Sequence, residues 1–106
     1  MTQKEWDLVH RFKSLVEEKL HVHQMIVFGS RARGDAEEES DLDVLVVIDE
    51  PVNRELRRFV SDCAFEVDVG NDFIVSPILV SRAEWENGPE RFSPFAHAVR
   101  EEGVPV

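Results

Sequence analysis

Long apolar runs are missing from this chain of 106 residues. None approaches the roughly 20 residues that a membrane-spanning helix needs. Cysteine occurs once, at Cys63, so an intramolecular disulfide is excluded. The N-terminus lacks the basic-then-apolar pattern of a secretory leader, and with the lone thiol this sets the expectation of a soluble, cytoplasmic protein. Basic residues are scarce, 12 Lys and Arg against 22 Asp and Glu, for a formal charge of −10. A chain that grips nucleic acid through a broad basic surface is therefore not expected. A small substrate, or a protein partner with a basic face, suits the charge better. Repeats and low-complexity segments are absent. The length predicts one domain, residues 1–106, near the lower end of single-core size.

What is present centres on residues 25–47, MIVFGSRARGDAEEESDLDVLVV. A short apolar run, Met25 to Phe28, stops at Gly29-Ser30. A polar connection follows, and Asp41-Leu42-Asp43 opens a second apolar run that ends at Ile48. Bounded runs this short, rich in Val and Ile, read as buried strands. Side chains alternate along a strand, so Asp41 and Asp43 should share one face and Leu42 the other. Two adjacent carboxylates repel each other, and a divalent cation removes that penalty. All-oxygen ligation suits Mg²⁺ or Mn²⁺. Gly29 permits unusual backbone angles and close approach to a ligand. Ser30 offers a hydroxyl and is the expected cap of a short helix starting at Arg31, with free amides aimed at an anion. Arg31 and Arg33 add positive charge. A phosphate-binding turn facing a carboxylate pair is equipment for metal-assisted chemistry on a nucleoside triphosphate.

These residues carry a resemblance. Gly29-Ser30, ten intervening residues and Asp41-x-Asp43 resemble the signature of the DNA polymerase beta-type nucleotidyltransferase superfamily. The fuller form, Gly-Ser-Arg-Ala-Arg-Gly and then Ser-Asp-Leu-Asp, with Gly34 and Ser40 in place, is similar to its minimal nucleotidyltransferase, antitoxin-like branch. The strong match covers about Gln24 to Ile48. A weaker one runs through Ser76 to Ser81, Glu84-Trp85, Pro94-Phe95 and Glu102 to Val104. The resemblance implies an α/β (α+β) fold, a small mixed sheet of three to four strands backed by helices.

The rest of the chain reads consistently with that fold. Thr2-x-x-Glu5 is a capping-box pattern, and Trp6, Val9, Phe12, Leu15, Val16 and Leu20 recur at helical spacing, so a helix is expected over Thr2 to about Leu20. His21-Val22-His23 reads as a solvated connection rather than a metal site. Gln24 to Phe28 and Leu42 to Ile48 are the first two strands. The acidic connection Asp35 to Ser40 reads as a solvated loop and is assigned no ligands. Asn53 caps a second long helix with Leu56, Phe59, Val60, Cys63, Ala64 and Val67 on its apolar stripe. Cys63 there is a structural thiol. Arg54, Arg57 and Arg58 fall off the stripe, as a solvated face or a contact for an acidic ligand or partner. Phe73 to Val80 is the third strand, and Pro77 predicts an edge or a bulge. Ser81-x-x-Glu84 caps a short helix that stops at Asn87-Gly88-Pro89. Ser93-Pro94 starts a last helix that turns Phe95, Ala98 and Val99 inward and ends at Gly103. The element order is α-β-α-β-α-β followed by two short helices.

The resemblance also implies chemistry. Asp41 and Asp43 would hold Mg²⁺ (or Mn²⁺), and Gly29, Ser30, Arg31 and Arg33 would bind the phosphates of an NTP, with ATP as the expected nucleotide. An acceptor hydroxyl on a protein or small molecule would then take the NMP. Members of the superfamily place a third carboxylate on the third strand, and alignment puts Ser76 there. Asp68 and Asp72 lie nearby, each with a plainer reading as a loop residue after a helix. Two other functions stay open: a weakly catalytic or non-catalytic antitoxin of a small, all-helical HEPN-type protein, and a regulatory module that binds an NTP without transferring it.

Overall fold

The computed structural model describes residues 1–37 and 40–106. Glu38 and Glu39 of the acidic connection lie outside the described residues. Among the described residues, ten elements follow one another: α1 (Gln3–Glu17), β1 (Val22–Phe28), α2 (Ser30–Arg33), β2 (Leu42–Ile48), α3 (Arg54–Asp68), β3 (Val75–Ser81), α4 (Arg82–Asn87), a 3₁₀ turn (Pro89–Phe92), α5 (Pro94–Glu102) and β4 (Val104–Pro105). The strands form one mixed sheet in the order β3-β2-β1-β4. β1 runs antiparallel to β2 and to β4, while β2 and β3 are parallel. A parallel pair needs a long crossover, and α3 supplies it. The fold is therefore the mixed, helix-backed sheet that the resemblance implies.

Local chemistry explains the boundaries. The Thr2 hydroxyl accepts the Glu5 N–H and the Glu5 carboxylate accepts the Thr2 N–H, a closed capping box. Asn53 accepts the Leu56 N–H, Ser81 the Glu84 N–H and Ser93 the Ala96 N–H, each at the start of a helix. Pro77 sits in β3, the edge strand, where its missing donor faces no neighbour.

The sheet is covered on both faces. On one, α1 and α3 bury Val9, Phe12, Val16, Val60, Cys63 and Val67 against Met25, Val27, Leu42, Val44, Val46, Ile48 and Leu79. On the other, Trp85 of α4 and Ala96 and Val99 of α5 pack on Ile26, Leu45 and Val47. Burial raises the proton affinity of the Cys63 thiol, with Glu66, Glu18 and Asp62 adding to it. This fits an inert core residue.

Several details differ from the periodicity. α1 ends at Glu17, three residues before Leu20, and Leu8 joins its buried stripe. β1 starts at Val22, so His23 belongs to the strand, beside Glu86, while His21 pairs with Asp49. β3 starts at Val75 rather than Phe73, because Phe73 turns into the core before the pairing begins. On α5, Ala96 and Val99 are buried, whereas Phe95 and Ala98 are exposed. The Pro89–Phe92 turn and β4 are additional elements, both too short to leave a periodic trace.

Candidate active site

The site is built where β1 ends and β2 begins. These two strands pair antiparallel, so the exit of one lies beside the entry of the other, with Phe28 opposite Asp43. Gly29 leaves β1 with a φ of 77°, in the region that disfavours any side chain. It also lies against the neighbouring strand: a Cβ there would come within 2.6 Å of Asp43 Oδ2. The glycine is thus required twice, by the turn and by the carboxylate. Gly29, rather than Ser30, occupies the cap position of α2, and Ser30 is the first helical residue. This corrects the expected start by one position. α2 is a single turn, closed by Gly34 with a φ of 83°.

Asp43 points to the sheet face of Leu45 and Val47 and is half-buried, while Asp41, just before β2, is exposed. Burial, and then the charge of Asp41, push the Asp43 carboxyl above the usual range. On the far side of Asp43, the parallel register places Ser76 directly beside it. That is the position where the resemblance implies a third carboxylate.

The two other acids divide. Asp72 is exposed and paired with Lys4 of α1 at 2.7 Å, which lowers its proton affinity. Asp68 accepts the Val75 N–H at 2.8 Å. Burial raises its proton affinity, the Val75 bond opposes this, and Asp41 adds to the rise. Asp68 thus lies within electrostatic reach of Asp41, but its carboxylate is tied to the start of β3. Among the described residues, no group of three or more His, Cys, Asp or Glu comes together around a metal position. The Asp41–Asp43 pair still suits a hard divalent cation: its donors are all oxygen, and a cation would relieve the conflict that raises Asp43. Such a site would need its remaining ligands from substrate and water.

The two arginines differ as well. Arg33 is exposed and paired with Asp35 at 3.3 Å and Glu102 at 3.4 Å. Arg31, placed among the phosphate-binding cations by its position in the motif, is buried instead. Its Nη1 donates to Glu5 Oε2 at 2.9 Å and its Nε to the Ser40 carbonyl at 2.7 Å. Its guanidinium lies over the Phe73 ring, 3.9 Å from the centroid. The reason is helical geometry: two residues past Gly29, the side chain turns inward toward α1. Glu5 was visible in the sequence as a capping residue, but nothing in its spacing shows that its second oxygen serves Arg31.

Beyond the carboxylates the same face continues through Phe28, whose ring meets Phe95 edge-on at 5.3 Å. An apolar cleft of about 330 Å³ follows, lined among others by Val80, Trp85, Pro94 and Phe95. Among the described residues, no helix is long and apolar enough to cross a membrane.

Comparison with known proteins agrees with this fold. A family model described as a nucleotidyltransferase domain matches residues 7–97. A Methanocaldococcus jannaschii protein named a "putative protein adenylyltransferase" is 31% identical over 80 residues, which cover 72% of this chain and 79% of the relative. A second protein of that organism with the same description is 33% identical over 60 residues, 53% of this chain and 61% of the relative. The fold matches the crystal structure of a "putative nucleotidyltransferase" from Sulfolobus solfataricus with a TM-score of 0.64 and 22% identity, covering 96% of this chain and 78% of that one.

Proposed function

The chain belongs to the nucleotidyltransferase domain family, and from that premise we propose that it transfers AMP from ATP to a hydroxyl of a protein acceptor. The observation that carries the reading is the contact between Gly29 and Asp43. It supports reading the turn and the carboxylate pair as two walls of one small site. The description of the M. jannaschii relatives supports adenylate as the group moved and a protein as its acceptor.

Asp41 and Asp43 would hold a divalent cation, Mg²⁺ or Mn²⁺. When bound, it neutralises the triphosphate and polarises the reacting phosphoryl oxygen. The backbone of Gly29 and the hydroxyl of Ser30 receive the outer phosphates, since the first amides of a helix have no carbonyl partner within it. Arg33, exposed at the end of α2, is the cation positioned to meet them, at the expense of its contacts with Asp35 and Glu102. The acceptor oxygen attacks the α-phosphorus in line, a new P–O bond forms, and the bond to pyrophosphate breaks. The acceptor proton passes to solvent, because a serine rather than a carboxylate stands beside Asp43.

Incubation with α-labelled ATP and cell lysate tests this reading. Label should appear on a protein with the parent chain and be absent with Asp43→Asn. Labelling that is undiminished in the mutant would refute the assignment of Asp43.

A second reading, nucleotide binding without turnover, is favoured by Ser76. Without a third acid, the acceptor lacks a local base. Binding of Mg²⁺ and ATP with no product on any acceptor would select it. An antitoxin-like role against a small helical HEPN-type partner is a separate alternative, for which the charge of −10 suits a basic, RNA-binding surface. A tight complex that forms without nucleotide and survives Asp43→Asn would select that one.

A further inference from the structure

We propose that the buried Glu5–Arg31 pair is a positioning clasp that sets the separation between the Asp41–Asp43 carboxylates and the Gly29-Ser30 turn. The inference rests on the reading that both parts act on one nucleotide. Asp41 is exposed, so its placement must come from the backbone on either side of it. Both sides are anchored. The Ser40 carbonyl accepts the Arg31 Nε–H at 2.7 Å, and the Leu42 N–H donates to the Ile74 carbonyl at 2.8 Å. Arg31 belongs to α2, two residues after Gly29, so the first anchor joins the carboxylates directly to the turn.

The anchor is itself held. Glu5 divides its carboxylate, one oxygen accepting the Thr2 N–H at 2.6 Å and the other the Arg31 Nη1–H at 2.9 Å. Phe73, leading into β3, lies against the guanidinium plane. One planar group carried by α2 thereby contacts α1, the approach to β2 and the approach to β3. Glu5 and Arg31 are 5% and 8% exposed. A buried ion pair is a poor source of stability, because desolvation offsets most of its attraction. What the pair supplies here is geometry: five donors in a fixed fork define directions that a lysine cannot.

Two variants separate positioning from folding. Arg31→Lys keeps the charge and a donor for Glu5 but loses the Nε bond to Ser40 and the flat contact with Phe73. Glu5→Gln combined with Arg31→Met removes both charges together and leaves no lone ion buried. The glutamine oxygen still caps Thr2, and its amide reaches water through the cleft of about 260 Å³ that Glu5 and Arg31 line. Titration of ATP in the presence of Mn²⁺ should show apparent affinity weakened about 10- to 100-fold in both variants, as for residues that orient metal ligands, with thermal unfolding of the double variant near the parent's. Parental affinity in the double variant would overturn the clasp. Amide hydrogen exchange provides a readout that needs no nucleotide. Leu42 and Arg33, bonded to Ile74 and Gly29, should lose protection while the amides of α3 keep theirs. Unchanged protection at Leu42 and Arg33 overturns the clasp. A parent chain that binds no nucleotide with Mn²⁺ overturns the functional reading instead, and the exchange result then decides the clasp alone.

Discussion

β2 passes between two environments. Leu42, Val44, Val46 and Ile48 point to the face under α1 and α3, and all four are fully buried. Asp43, Leu45 and Val47 point to the opposite face, where α4 and α5 cover Leu45 and Val47 but stop short of Asp43. β3 repeats the pattern, with Ser76, Ile78 and Val80 in register beside them and Ile78 39% exposed. One face is closed along its whole length and holds the fold. The other is closed at one end only, and the carboxylates stand where the cover ends. A strand can serve both purposes because its side chains alternate.

The largest effect should come from the open end. Asp43→Asn should reduce adenylate transfer by at least about 10²–10³-fold, the scale of removing one preorganised electrostatic group. Its stability should move the other way. The folded state raises the proton affinity of Asp43 above the ordinary value, so it binds more protons than the unfolded state, and this residue costs stability as pH rises through that window. Asparagine has no such cost, so unfolding at neutral pH should occur at the same temperature or higher. A clear loss of thermal stability would show that the open end also holds the fold. The closed face should behave in reverse. Phe12→Ala, beneath α1, should cost about 3–5 kcal/mol in urea unfolding. Phe95→Ala on the open face should cost about 1 kcal/mol, the size of its edge contact with Phe28. Equal costs would erase the distinction between the faces.

The glycines sharpen it further. Gly29 and Gly34 have nearly equal positive φ values, 77° and 83°, but among the described residues a Cβ at Gly34 meets nothing within 4 Å. Alanine should cost about 1–2 kcal/mol at Gly34, which is left-handed helical, and about 1–3 kcal/mol at Gly29, whose φ of 77° and ψ of −160° suit glycine almost alone. Only Gly29→Ala should also abolish transfer, because its methyl must displace Asp43. Equal activity in the two variants would separate the turn from the carboxylates.

How much of this was legible in the sequence follows from range. The strands at 24–28 and 42–48, the cap at Asn53 and the edge position of Pro77 are local, and short windows carry them. The pairing of Gly29-Ser30 with Asp41-x-Asp43 was legible because a motif brings it. The inward turn of Arg31 was not, since it depends on Glu5, 26 positions earlier in the chain. Nor was the Lys4 contact that holds Asp72 against α1. A two-residue strand such as β4 has no period to detect. It exists because Gly103 packs against Ile26 and Val99, bringing Val104 beside Val27.

The smallest effect concerns acid, and it tests the clasp against the open end. Burial raises the proton affinity of Glu5, but the Thr2 amide and the Arg31 guanidinium outweigh it, and the carboxyl ends below its ordinary 4.5. Its contribution is therefore present above about pH 4.5 and is lost as pH falls through the lowered folded value. Asp43 and Asp68 are raised above 3.8, so their cost is relieved as pH falls through their folded values. Stability measured from pH 7 downward should accordingly combine a gain from these two residues with a late loss from Glu5. Asp43→Asn should remove part of the gain, and Glu5→Gln should flatten part of the loss. Asp49 and Asp72, lowered by His21 and Lys4, add to the late loss, but both pairs are exposed. Salt at about 1 M, where the screening length falls to about 3 Å, should weaken their share and leave that of the buried Glu5. A late loss that vanishes entirely in salt would assign acid sensitivity to the surface and leave the clasp no part in it.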